Sequence, residues 1–172
     1  MSTEVPEILD AWRMVAGRRG FEGRLPLAAM ARLRGLLADT GGDDVAFAVE
    51  FGRDAMRVPY VEVRIEAGLP LMCQRTLQRF VLPVSVVQRL GLIRDEADEA
   101  GLPEGYEALL LAEDGALRVA DLVEDELILA VPVVPVRPDS EPVEREWPAS
   151  TAEEARANPF SVLAALKKDR DN

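Results

Sequence analysis

The chain has 172 residues, of which 48% are apolar, and a formal net charge of −11. That is enough apolar material for one core, and no apolar run approaches the ~20 residues of a membrane helix. Histidine is absent and Cys73 is the single cysteine, which excludes histidine acid–base chemistry, histidine metal ligands, an internal disulfide and any multi-cysteine metal site.

Charge is unevenly spread. Residues 1–94 hold 13 arginines and 11 acids, a net of +2, whereas residues 95–172 hold 7 basic residues and 20 acids, a net of −13. Such an acidic second half is a poor match for non-specific nucleic-acid binding, which neutralises phosphates. It suits a basic protein partner or plain solubility. Met1–Asp10 carries three acids and no apolar signal core, so a cytoplasmic protein is expected.

Met1–Gly20 reads as a loose leader, and Arg18–Arg24 as a short strand or an irregular arm. Ala28–Asp39 reads as a helix with Met30, Leu33, Leu36 and Leu37 on one face, ended by Thr40-Gly41-Gly42. From Asp44 the period becomes two. Val45, Phe47, Val49 and Phe51 alternate with Ala46, Ala48 and Glu50, the mark of a half-buried strand. After a turn at Gly52-Arg53-Asp54, Val61, Val63, Ile65, Ala67, Leu69, Leu71 and Cys73 keep one parity, as one long strand bent at Gly68 would. Gln74-Arg75-Thr76 forms a hairpin tip, and Phe80, Leu82, Val84 and Val86 return on one face. These make three consecutive antiparallel strands.

Asp95–Gly101 reads as an acidic loop, Glu107–Ala112 as a short strand, and Glu113-Asp114-Gly115 as a tight turn. The stretch Asp121–Val136 organises the rest. Asp121 suits an N-cap, Glu124 the matching capping-box position, and Leu122, Val123, Leu127, Ile128 and Val131 recur at helical spacing. Pro132 stops the helix, and Val133–Val136 then read as extended. From Arg137 to Ala157 the composition is that of a polar, proline-containing linker. Asn158-Pro-Phe-Ser-Val-Leu-Ala-Ala-Leu-Lys-Lys168 has a good N-cap, a proline at the first helical position and a lysine-rich end. So short a helix is marginal alone and needs a dock.

The expected fold is α+β: an antiparallel sheet with the two helices packed on it and a linker-tethered C-terminal helix. The expected organisation is one domain over residues 1–136, a linker over 137–157 and the terminal helix over 158–168.

Three segments, in this order and spacing, resemble the YceD family of large-ribosomal-RNA-subunit accumulation proteins: Cys73-Gln-Arg-Thr76, Asp121–Val136 and Asn158–Lys168. The resemblance runs from about Gly17 to Lys168. It implies a non-enzymatic factor in synthesis, processing or stability of the large-subunit (23S) ribosomal RNA, with no catalytic site to carry over. Many members have a second cysteine where this chain has Thr76, and some have a further cysteine cluster near the C-terminus that is absent here. One thiol supplies one ligand where structural zinc needs four, so Cys73 is expected as a small apolar residue on the inner face.

Three groups of residues are candidates for binding. Glu124, Asp125 and Glu126 form an acidic patch for a basic ribosomal or assembly protein, or simply cap and solvate their helix. Arg64, Arg75, Arg79 and Arg89 form a basic hairpin surface for ribosomal RNA phosphates, or pair across strands with Glu62 and Glu66. Phe160, Leu163 and Leu166 form the apolar side of a helix that docks in a partner's groove or back on its own domain. No cofactor, metal, membrane or small-molecule substrate is expected. The other reading kept open is an adaptor outside ribosome assembly that recruits its partner through the C-terminal helix.

Overall fold

A computed structural model of the chain describes residues 7–41 and 44–140. The elements run β1 (Leu9–Asp10), α1 (Ala11–Gly17), β2 (Gly20–Pro26), β3 (Asp44–Arg53), β4 (Pro59–Met72), β5 (Arg79–Ile93), β6 (Glu107–Leu110), β7 (Ala116–Leu117) and α2 (Val119–Ala130), with short 3₁₀ turns between. The fold is α+β. The main sheet has the order β2-β3-β4-β5-β6, and β1 pairs with β7 in a separate ribbon.

The period-two alternation places β3, β4 and β5 as expected. Val45, Phe47, Val49, Phe51, Val61, Val63, Ile65, Leu69, Leu71 and Phe80 are all buried in one core. Burying each large side chain contributes roughly 1.5–3 kcal/mol, and a one-residue slip would turn the whole set outward. β4 passes unbroken through Gly68, where an added Cβ would lie 2.9 Å from Val81. The hairpin turns at Gln74–Leu77, with Leu77 left-handed (φ 54°) and its N–H on the Cys73 carbonyl.

Four expectations need correction. The sheet is mixed, because β6 runs parallel to β5, with Leu90 opposite Glu107 and Ile93 opposite Leu110. The acidic segment after Ile93, a 3₁₀ turn at Glu96–Gly101, is long enough to carry the chain back for parallel pairing. The leader also contains β1 and α1. Asp10 caps α1 by accepting the Arg13 N–H at 3.0 Å, and Ala11 and Val15 enter the core.

Thirdly, Ala28–Asp39 is not an α-helix. It forms two 3₁₀ turns, Leu27–Ala29 and Leu33–Leu36. Leu27, Met30 and Leu33 are buried at a spacing of three, the period of a 3₁₀ helix, whereas Leu36 is 49% exposed. Gly35 within the second turn also disfavours a longer helix. Fourthly, α2 begins at Val119 under an Arg118 N-cap that makes no side-chain capping bond. Leu117 is still paired in β7 and Val119 is fully buried, so the chain turns straight from strand into helix. Asp121 instead pairs with Arg118 at 3.3 Å. The helix does stop before Pro132, with Val131 extended.

Core residues of α1, α2 and the 3₁₀ turns lie with the inward side chains of the sheet, so these elements cover one face. Among the described residues the other face carries exposed Glu50, Arg64, Glu66, Ser85 and Val87. The first compact unit extends to Ser140, four residues beyond position 136. The C-terminal segment with Phe160, Leu163 and Leu166 lies outside the described residues.

Candidate functional site

The three helix acids do not share a surface. Glu124 is buried. Its Oε1 accepts the backbone N–H groups of Arg32 at 2.7 Å and Leu33 at 3.0 Å, while Oε2 takes the Arg32 guanidinium at 3.1 Å. It therefore caps the second 3₁₀ turn from across the fold. Burial pushes this carboxyl upward, but the Leu33 and Arg32 N–H groups and the guanidinium outweigh it and hold it below its ordinary value. Asp125 is exposed and meets the same Arg32 at 2.5 Å. Glu126 is buried and shifted upward by desolvation, then by the charges of Glu107 and Asp125. Among the described residues a denser group of exposed acids lies before α2. Asp95–Leu117 holds eight acids and no basic residue, and Glu96, Asp98 and Glu99 stand exposed on one 3₁₀ turn.

The hairpin arginines are engaged with partners. Glu62 lies opposite Arg89 and takes both its guanidinium and that of Arg64. Arg64 also reaches Glu50 at 3.1 Å, so the pairing uses Glu62 and Glu50 and not Glu66. The hydrogen bond from Arg89 is the main reason that Glu62 sits below the ordinary carboxylate range. Arg89 stacks on Tyr60 at 4.7 Å and Tyr106 at 5.8 Å, and the Tyr106 hydroxyl donates to Asp54 at 3.1 Å. Arg79 pairs with Asp39 and holds that carboxyl at about 2. Arg75 donates to the Ser140 carbonyl at 3.3 Å.

Cys73 is fully buried on the inner face. The chain after α2 folds back over it. Gln74 donates to the Pro135 carbonyl at 2.9 Å, and the Arg137 N–H reaches Sγ at 3.4 Å. That N–H, with the Thr76 hydroxyl and the N–H groups of the tip, lowers the thiol to about 6. A folded value below the unfolded one gives stability that is complete above the unfolded thiol range and lost as pH falls through about 6. Stability should therefore rise between pH 6 and 9, and Cys73→Ala should flatten that rise. Thermal melts at fixed ionic strength across this range check it, and parallel curves for the two proteins would refute it.

One feature of the structure was not singled out from the sequence. Arg18, Arg19 and Arg53, with Gly20, Glu50, Gly52 and Tyr60, line a hollow of about 600 Å³ at one end of the sheet. The available signal was Gly17-Arg18-Arg19-Gly20, paired arginines between two glycines.

The molecule is thus of a definite class: a small α+β protein with one covered sheet face and one bearing charged and apolar groups. The chain belongs to the YceD family, its residues 61–167 matching the model described as "Large ribosomal RNA subunit accumulation protein YceD". The protein of that name from Haemophilus influenzae is 30% identical over 134 residues, covering 73% of this chain and 75% of that protein. No solved structure matches the chain. Among the described residues no helix is long and apolar enough to cross a membrane.

Proposed function

We propose that this chain supports accumulation of large-subunit ribosomal RNA by binding and not by catalysis. A basic ribosomal or assembly protein would meet its acidic segment. The family membership supports the process. The observation that carries the mode of action is the run Asp95–Leu117, with eight acids and no basic residue. Of these, Glu96, Asp98 and Glu99 face solvent without a carboxylate-neutralising arginine among the described residues. Such a surface attracts a cationic partner over about a Debye length, ~8 Å at physiological salt, and speeds encounter.

The helix acids enter this reading only through Asp125, the exposed member of the three. The terminal residues Phe160, Leu163 and Leu166 supply a second contact in the proposal, as an apolar stripe for a partner's groove.

Depletion of the protein should lower mature large-subunit RNA more than small-subunit RNA. Re-expression of a Glu96→Gln, Asp98→Asn, Glu99→Gln chain should restore it poorly. Quantifying both RNAs in the same cells is the test. Equal loss of the two RNAs would defeat the process, and full rescue by the neutralised chain would defeat the acidic contact.

A further inference from the structure

We infer that the hollow formed by Arg18, Arg19 and Arg53 is a cradle for the phosphates of single-stranded RNA, a site distinct from the hairpin arginines. The inference rests on the reading above that the chain serves ribosomal RNA. Arg32, Arg64, Arg79, Arg89, Arg118 and Arg137 all pair with carboxylates. Arg18, Arg19 and Arg53 make no ion pair with any described residue, as is also true of Arg13, Arg24, Arg34, Arg57, Arg75 and Arg94, but these three come together around one hollow. All three are exposed and line one concavity, whose wall also carries Glu22 and Glu50, the latter paired with Arg64.

Their backbones are fixed. Arg18 closes α1 with its N–H on the Met14 and Val15 carbonyls, and the Arg19 carbonyl accepts the Phe51 N–H at 2.9 Å. Arg53 ends β3 opposite Pro59, and its guanidinium donates to the Arg57 carbonyl at 3.0 Å.

The backbone conformation points the same way. Arg18 (φ 47°) lies in the left-handed region, where few non-glycine residues go. The helix-terminating position held by Arg18 is one that glycine fills without strain. Local conformation thus opposes arginine at position 18, the pattern expected where a side chain is kept for what it binds. The hollow is also kept open by its glycines. A Cβ at Gly20 would stand 2.7 Å from the Val49 carbonyl, and one at Gly52 would stand 2.9 Å from the Tyr60 hydroxyl. Planar guanidinium forks suit phosphate oxygens.

The test measures binding of the full chain to a mixed-sequence single-stranded RNA oligonucleotide as salt is varied. Arg18→Gly with Arg53→Gln should reduce the slope of log affinity against log salt by about 1.4, at ~0.7 per lost phosphate contact. Arg34→Gln with Arg75→Gln removes the same charge at the opposite, hairpin-tip end of the sheet and should leave the slope unchanged. Arg18→Gly alone should weaken binding while raising Tm by about 2–4 °C, since it relieves backbone strain.

Equal slopes for the two double variants, no salt-dependent binding by the native chain, or a lower Tm for Arg18→Gly would each overturn the cradle. So would an Arg18→Gly, Arg53→Gln chain that loses binding to phosphatidylglycerol vesicles while its RNA binding stays intact. An unchanged RNA affinity alongside selective loss of large-subunit RNA on depletion would remove the cradle and leave the accumulation reading standing.

Discussion

Replacing Glu124 with alanine should destabilise the fold by about 2–4 kcal/mol, measured as a fall in the urea midpoint at constant slope. The cost comes from backbone groups more than from the ion pair. Arg32 is half exposed, its side chain retaining 53% accessibility, and pairs of that kind contribute ~0–1 kcal/mol. The N–H of Leu33 is buried and that of Arg32 partly so, and both bonds end on the single atom Oε1. Leaving a buried donor unsatisfied costs about 1–3 kcal/mol.

The same geometry separates alanine from glutamine. Glu124→Gln keeps an oxygen that can accept both backbone N–H groups and loses mainly the guanidinium contact, so it should cost well under half as much. It should also change the acid side of the stability profile. The folded carboxyl lies below its unfolded value. Its contribution is therefore present above the ordinary carboxylate range and lost as pH falls through the lowered value. Glutamine has no such titration. If alanine and glutamine proved equally costly, charge and not capping would be the reason that Glu124 is buried.

This contact also shows where sequence reading reaches its limit. The alternation of Val45 to Phe51 and of Val61 to Cys73 is local and depends on one buried face, so β3, β4 and β5 were legible. So were the stop before Pro132 and the turn at Gly115 (φ 69°). The capping role of Glu124 joins residues 91 and 92 positions apart, and no spacing rule links them. Glu124 in a capping-box position therefore looked like a local feature when it was a distant one. Met30, Leu33, Leu36 and Leu37 fit a period of 3.6, so the segment read as a helix, whereas the buried set is Leu27, Met30 and Leu33 at a period of 3. The parallel pairing of β6 was illegible, because four residues carry no mark of strand direction.

The arginines divide in the same manner. Composition separates a near-neutral half from an acidic one, but it cannot say which guanidinium meets which carboxylate. Register decides that: Glu62 opposite Arg89 absorbs the outward charge of the hairpin. Of the arginines left without such partners, Arg18 and Arg19 follow the end of α1 and Arg53 ends β3, where alternation gives little guidance. Arg18, Arg19 and Arg53 meet around a hollow that no periodicity marks, and exposed acids stand both on α2, at Asp121 and Asp125, and at Glu96, Asp98 and Glu99.

Leu127→Ala should cost about 2–5 kcal/mol, the other large effect expected in this fold. Leu127 is fully buried, and with Val119, Leu122 and Val123 it forms the side of α2 that enters the core shared with Ile65 and Leu69. Truncation removes the transfer free energy of its branched end and leaves a void that sheet and helix can close only by moving apart. Leu129, two residues on, is 74% exposed, and Leu129→Ala should stay within about 0.5 kcal/mol. The pair separates burial from helix propensity, since both changes put the same good helix former into the same helix. Urea titration of both variants gives the answer. Comparable losses would mean that α2 is stabilised mainly within itself, and a small loss at Leu127 would mean that the sheet can close over the missing side chain.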